Sequence, residues 1–192
     1  MSELPLIAVT DSATCPRPLA EQIERLAKLT ELRPQAVILR AKALDKAAYR
    51  TLALQAQQSC EAAGIPLILH SDWQLARELG ISMLHLPLAF LRQISEYERA
   101  YFTWLSTSVH SVGEAQEAQA LGATVLIAGH IYTTQCKAGL APRGLGFLQA
   151  VCSTVSLPVY AIGGIGFDAT QHAELQANGA RGACVMSAYM RL

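Results

Sequence analysis

Short, nearly unbroken apolar runs alternate along the chain with longer segments in which apolar residues recur every three or four positions. The apolar runs are "LIAV" (6–9), "AVILR" (36–40), "PLILH" (66–70), "MLHLP" (83–87), "WLSTSV" (104–109), "TVLIAG" (124–129), "VYAIGG" (159–164) and "GACVMS" (182–187). A strand buried on both faces has no polar face to alternate with, so these runs predict strands inside a layered fold. The segments between them predict helices. One lies around Pro18 to Lys28. Others open on Asp45 and close on Gly64, open on Asp72 and close on Gly80, or start near Asp168 and stop at Gly179. A further helix starts at Ser111 with Glu114 three residues on, the spacing of a capping box.

Strand followed by helix, repeated along one chain, predicts parallel strands joined by helical crossovers. Eight strands is the number that closes a (β/α)8 TIM barrel. An open doubly wound sheet is the alternative, and it usually needs fewer strands. At 192 residues the barrel is small, so its loops must be short. After "VMSAYMRL" no room is left for a full eighth helix, and the last helix is expected to be truncated or absent. A second copy of the chain, in a homodimer, is one way to cover the outer face left open there. No linker or low-complexity tract divides residues 1–192, which read as a single domain.

Composition narrows the function. Formal net charge is zero and no basic run occurs, so no nucleic-acid footprint is expected. No apolar stretch approaches the roughly 18 residues of a membrane span. The start, "MSELPLIAVTD", has an acid and a proline where a signal peptide has a basic segment and a long apolar one. The five cysteines are scattered with no C-x-x-C spacing, which speaks against a zinc or dithiol site. They read as small buried hydrophobes, Cys136 included, in a reducing cytoplasm.

Reactive groups of such a barrel stand at the C-terminal ends of its strands. Those positions hold Thr10 and Asp11, Arg40 and Lys42, His70 and Ser71, His85 and Pro87, and Ser108 and His110. Then come His130, Gly163 and Gly164, and Met186 and Ser187. The glycine pair and a helix start near Ser187 suit a phosphate, because their backbone N–H groups can approach an anion closely. Arg40 and Lys42, two apart, are expected on one face, where they could hold a phosphate or carboxylate.

The ordered set "LRAK", "STSVHS", "GHIYTTQCK", "PVYAIGGI" and "GACVMS" resembles the thiamine phosphate synthase and TenI superfamily over essentially the whole chain. Two branches differ at positions visible here. The resemblance implies that synthases carry an Asn-Asp pair after strand three and an acid after strand four, holding the magnesium that carries a pyrimidine diphosphate. Here His70 and Ser71 stand in the Asn-Asp places, and no carboxylate follows "LHLPLAF" closely. TenI-type members share the G-H-[IV]-[FY]-x-T-x-C-K loop. Similarity to that branch implies a thiazole tautomerase, an isomerase aromatising a carboxythiazole phosphate with neither metal nor cofactor. His130 would move the proton. Arg40, Lys42, Ser108, Thr134, Lys137, Gly163, Gly164, Met186 and Ser187 would hold the substrate. The alternatives are a magnesium-dependent thiamine phosphate synthase, joining pyrimidine diphosphate to thiazole phosphate, and a non-catalytic thiazole or thiamine phosphate-binding regulatory relative.

Overall fold

A computed structural model describes residues 4–192. Residues 1–3, part of the predicted domain span and of the start read for a leader, lie outside the described residues. Eight parallel strands close into a barrel in sequence order. They are β1 Leu6–Val9, β2 Ala36–Leu39, β3 Leu67–His70, β4 Met83–Pro87, β5 Trp104–Val109, β6 Val125–Gly129, β7 Val159–Ile162 and β8 Gly182–Val185. β1 pairs with both β2 and β8, which removes every sheet edge. The helices are α1 Leu19–Ala27, α2 Lys46–Ala63, α3 Trp73–Glu78, α4 Leu88–Leu91, α5 Glu96–Arg99, α6 Val112–Ala120, α7 Gly144–Thr154, α8 Ala169–Ala177 and α9 Ser187–Arg191. The chain is therefore a small (β/α)8 TIM barrel. Its last helix, α9, is five residues long.

The unbroken apolar runs have the predicted cause. Successive side chains of one strand point to opposite faces. Ile7, Val9, Ile38, Ile68, Val125, Ile127, Tyr160 and Cys184 point inward and fill the barrel. Ala8, Val37, Leu39, Leu69, Leu84, Leu126 and Ala161 point outward beneath the helices. Both layers are largely apolar, so polar residues interrupt the runs mainly in β4 and β5, at His85 and at Ser106, Thr107 and Ser108.

Helix starts follow the predicted chemistry. The side chains of Asp45, Asp72 and Asp168 accept backbone N–H groups of the first turns of α2, α3 and α8, and Gly64 ends α2 in the left-handed conformation. Ser111 caps α6, but the expected box is not reciprocal. The Glu114 carboxylate accepts the N–H of His110 at 2.6 Å instead of that of Ser111. β2, β7 and β8 end at Leu39, Ile162 and Val185, so Arg40, Gly163, Gly164, Met186 and Ser187 lie just past their strands. Among the described residues, no helix is long and apolar enough to cross a membrane.

Candidate active site

The C-terminal mouth of the barrel opens into a cavity of about 620 Å³. Every sequence-predicted site residue lines it: Arg40, Lys42, Ser108, His130, Thr134, Lys137, Gly163, Gly164, Met186 and Ser187. Its apolar floor is Val9, Ile38, Ile127, Ile162 and Cys184, the upper end of the barrel filling. A flat ring can lie against that floor while charged groups meet it from the rim.

The rim is cationic. Arg40 forms an ion pair with Asp11 at the end of β1. Lys42, Lys137 and Arg191 form no ion pair among the described residues. None of the residues lining the cavity is an aspartate or glutamate. The sequence pattern missed Arg191 because it sits on α9, at the chain end and after the last strand. Arg40 and Lys42 do share the rim, although β2 has already ended there.

Opposite them, the loop after β6 folds over the turn after β7. Ile131 donates its N–H to the Ile162 carbonyl and Tyr132 to the Gly163 carbonyl, both at 2.9 Å, and the Tyr132 hydroxyl donates to Glu174 on α8. Gly163 and Gly164 have φ of 104° and 70°. A Cβ on Gly163 would stand 2.2 Å from the His130 Cβ, and one on Gly164 2.5 Å from the Thr133 carbonyl oxygen. The glycines are therefore required by the loop contact, whatever binds beside them. No hydrogen bond among the described residues takes up their N–H groups, which leaves both free for an anion. Thr134 caps a short 3-10 turn, Gln135–Lys137, by accepting the Cys136 N–H, and so fixes Lys137 at the rim. Cys136 is exposed, 3.9 Å from the Ser187 hydroxyl, and corrects the expectation of a packed thiol: the turn is too short to bury it.

A polar column crosses the barrel from β3 to β5. The Ser71 hydroxyl stands 2.6 Å from His70 Nδ1, and the His70 backbone N–H donates to Tyr49. His85 Nδ1 is 3.0 Å from Ser106 Oγ, and its Nε2 is 3.0 Å from Ser108 Oγ. Ser106 donates its own proton to the Leu84 carbonyl, so it accepts from Nδ1. The one proton of neutral His85 then sits on Nδ1, and Ser108 donates to Nε2. Ser108 thereby turns its lone pairs toward the cavity. Burial, helped by Arg40 and Lys42, lowers the His70 pKa to about 4. Burial, helped by His70 and Arg40, lowers that of His85 to about 3. Both rings are neutral at pH 7. The strand-end pattern marks His85 as facing the mouth, but Ser106 lies one layer deeper and carries no signal of its own.

His110 Nδ1 donates to the Gly129 carbonyl at 2.7 Å, which ties this histidine to the barrel wall. His130 is half-buried, and its Nε2 lies 3.4 Å from the Leu140 carbonyl.

A family model described as thiamine monophosphate synthase matches residues 6–189. The chain belongs to that family. Thiamine-phosphate synthase of Listeria monocytogenes serotype 4b is 36% identical over 147 residues, covering 74% of this chain and 67% of the relative. The Herpetosiphon aurantiacus enzyme of the same name is 38% identical, covering 79% and 73%. That of Syntrophomonas wolfei is 29% identical, covering 98% and 90%. Among solved structures, thiamine phosphate pyrophosphorylase from Pyrococcus furiosus superposes with a TM-score of 0.79 at 23% identity, covering 98% of this chain and 88% of that one. At that identity the superposition speaks for the fold.

These relatives correct the expectation of an isomerase. The curated proteins similar to this chain carry the name of a synthase, a transferase, so the thiazole tautomerase reading is overturned. The His130 loop misled because one loop motif was set against the family signal of the whole barrel.

The magnesium implied for the synthase branch has no matching donor set. Magnesium takes oxygen ligands, usually one or two carboxylates with substrate phosphate. Asp11 is engaged by Arg40, and Asp72 caps α3 facing a neighbouring depression, outside the mouth cavity. His70 and Ser71 occupy the place of the acid pair, and imidazole nitrogen is a poor ligand for so hard an ion.

Proposed function

We propose that this barrel is a thiamine-phosphate synthase, joining a pyrimidine diphosphate to a thiazole phosphate. The observation that carries the reading is the mouth cavity itself. It has an apolar floor for a ring, unpaired cations around the rim and free glycine N–H groups after β7. Family membership supplies the reaction class.

In this reaction the thiazole nitrogen forms a bond to the pyrimidine's methylene carbon while that carbon's bond to diphosphate breaks. The electron pair leaves with the diphosphate. What the chain must supply is charge compensation for the leaving group and alignment of two rings. Lys42, Lys137 and Arg191 meet the leaving charge. The N–H groups of Gly163 and Gly164, with Ser187, hold the thiazole's phosphate. Ser108 accepts a hydrogen bond from a ring substituent. The attacking nitrogen uses a lone pair, so His130 carries no proton in the bond-forming step and acts as a wall of the site. Residues 1–192 act as one unit, and the free cysteines suit a reducing cytoplasm.

The test is growth. A bacterial strain lacking its own thiamine-phosphate synthase, supplied with this chain, should grow without thiamine. Failure to grow, with the protein present and folded, sinks the proposal. A second reading, a non-catalytic thiamine phosphate-binding relative, is favoured by the missing carboxylates. It predicts product binding together with that failure.

A further inference from the structure

We infer that the mouth compensates the charge of its phosphate-bearing ligand with its own side-chain cations, without a divalent metal ion. The identity of that ligand, a diphosphate ester, rests on the proposed transferase reading. The metal independence rests on the charges lining the cavity.

Four cations line the mouth and no carboxylate does. Three of the four, Lys42, Lys137 and Arg191, are unpaired among the described residues. A dication entering this site would meet like charge on several sides and find no anionic ligand except those it brought with it. Asp11, paired with Arg40, serves a different purpose. It orients Arg40, whose guanidinium is held between β1 and β2 while Thr10 Oγ1 accepts the Arg40 backbone N–H at 2.8 Å and donates to the Arg40 carbonyl. His70, which stands where the branch that uses metal has an acid pair, is neutral and adds no negative charge. A diphosphate needs compensation for its negative charge, and guanidinium and ammonium groups provide it together with directional hydrogen bonds. The work assigned to magnesium elsewhere in the family is thus distributed here over Arg40, Lys42, Lys137 and Arg191.

Inorganic pyrophosphate is the probe, titrated calorimetrically into the full chain in EDTA and again in excess magnesium. The expected result is binding in EDTA that magnesium leaves unchanged or weakens, since magnesium caps the charge the rim recognises. Binding only with magnesium, or tightened by it, overturns the inference while leaving the transferase reading intact. No binding in either condition also overturns it. Asp11→Asn separates the two accounts further. It frees Arg40, so affinity in EDTA should rise by roughly 2- to 5-fold, the scale of one partly exposed ion pair. Were Asp11 a metal ligand, the same change would abolish the binding seen in magnesium. A melting curve of the variant keeps an unfolded protein from being scored as a loss.

Discussion

His130 and His85 show how differently two histidines at one barrel mouth can serve. His130 sits half-buried in the loop after β6, within 3.4 Å of a carbonyl, and the proposed reaction asks no proton of it. His130→Asn should therefore leave turnover within a few-fold of the parent. General acid–base assistance would be worth about 100- to 10,000-fold, and a loss of that size in a steady-state assay would restore a proton-transfer role. His85 is buried between two serine hydroxyls, and its neutral form is the one the site fits. Its pKa of about 3, and that of about 4 for His70, lie below the usual 6.5. The unfolded chain therefore binds more protons than the folded one from pH 6.5 downward. Folding stability should rise with pH across that window and be lost as pH falls through it, by at most about 1.4 kcal/mol per pH unit for each ring. Melting curves from pH 4 to 7 measure this. His85→Asn should flatten the dependence, and an unchanged slope in that variant would show that other groups cause it.

Among the elements, the turn after β7 does more than was legible in "AIGGIG". As a sequence the glycine pair signals an anion site. In the fold it also lets the loop after β6 lie on the turn, since a Cβ at Gly164 would meet Thr133 and Tyr132 at 2.5 and 2.8 Å. Gly164→Ala should thus cost about 1–3 kcal/mol of stability by overpacking at a positive φ, besides any effect on phosphate. Gly166→Ala, with nothing within 4 Å of its Cβ, is the control and should melt near the parent temperature. A neutral Gly164→Ala would show that the loop yields. The strands were legible because both of their faces are buried, and the long helices because Asp45, Asp168 and Gly64 punctuate them. α7 was not, because its first turn, "GLG", reads as a loop and only packing against β6, β7 and its neighbours holds it helical. The residues of the mouth were legible as strand ends. The Asp11–Arg40 pair was not, because it depends on the register of β1 against β2, and Arg191 was not, because it depends on the side of the mouth that α9 reaches.

Across the whole molecule, charge is balanced but unevenly placed. Formal net charge is zero, yet the mouth collects cations without acids. Surface acids are spent elsewhere, as in Arg50–Glu78 and Arg92–Glu117 on the outer helices. A concave site lined by one sign of charge concentrates field on its ligand. Phosphate-ester affinity should accordingly fall as ionic strength rises from low to physiological, where the screening length shrinks to about 8 Å. Salt-independent affinity would place the binding energy in the apolar floor. Catalysis by the purified chain is the most direct measurement. The chain should be mixed with the pyrimidine diphosphate and the thiazole phosphate, in EDTA and in magnesium, while pyrophosphate release and thiamine phosphate are followed together by mass spectrometry. The prediction is one pyrophosphate released for each thiamine phosphate formed, with product already appearing in EDTA. Absence of thiamine phosphate in both conditions, from protein that binds both ligands, would contradict it.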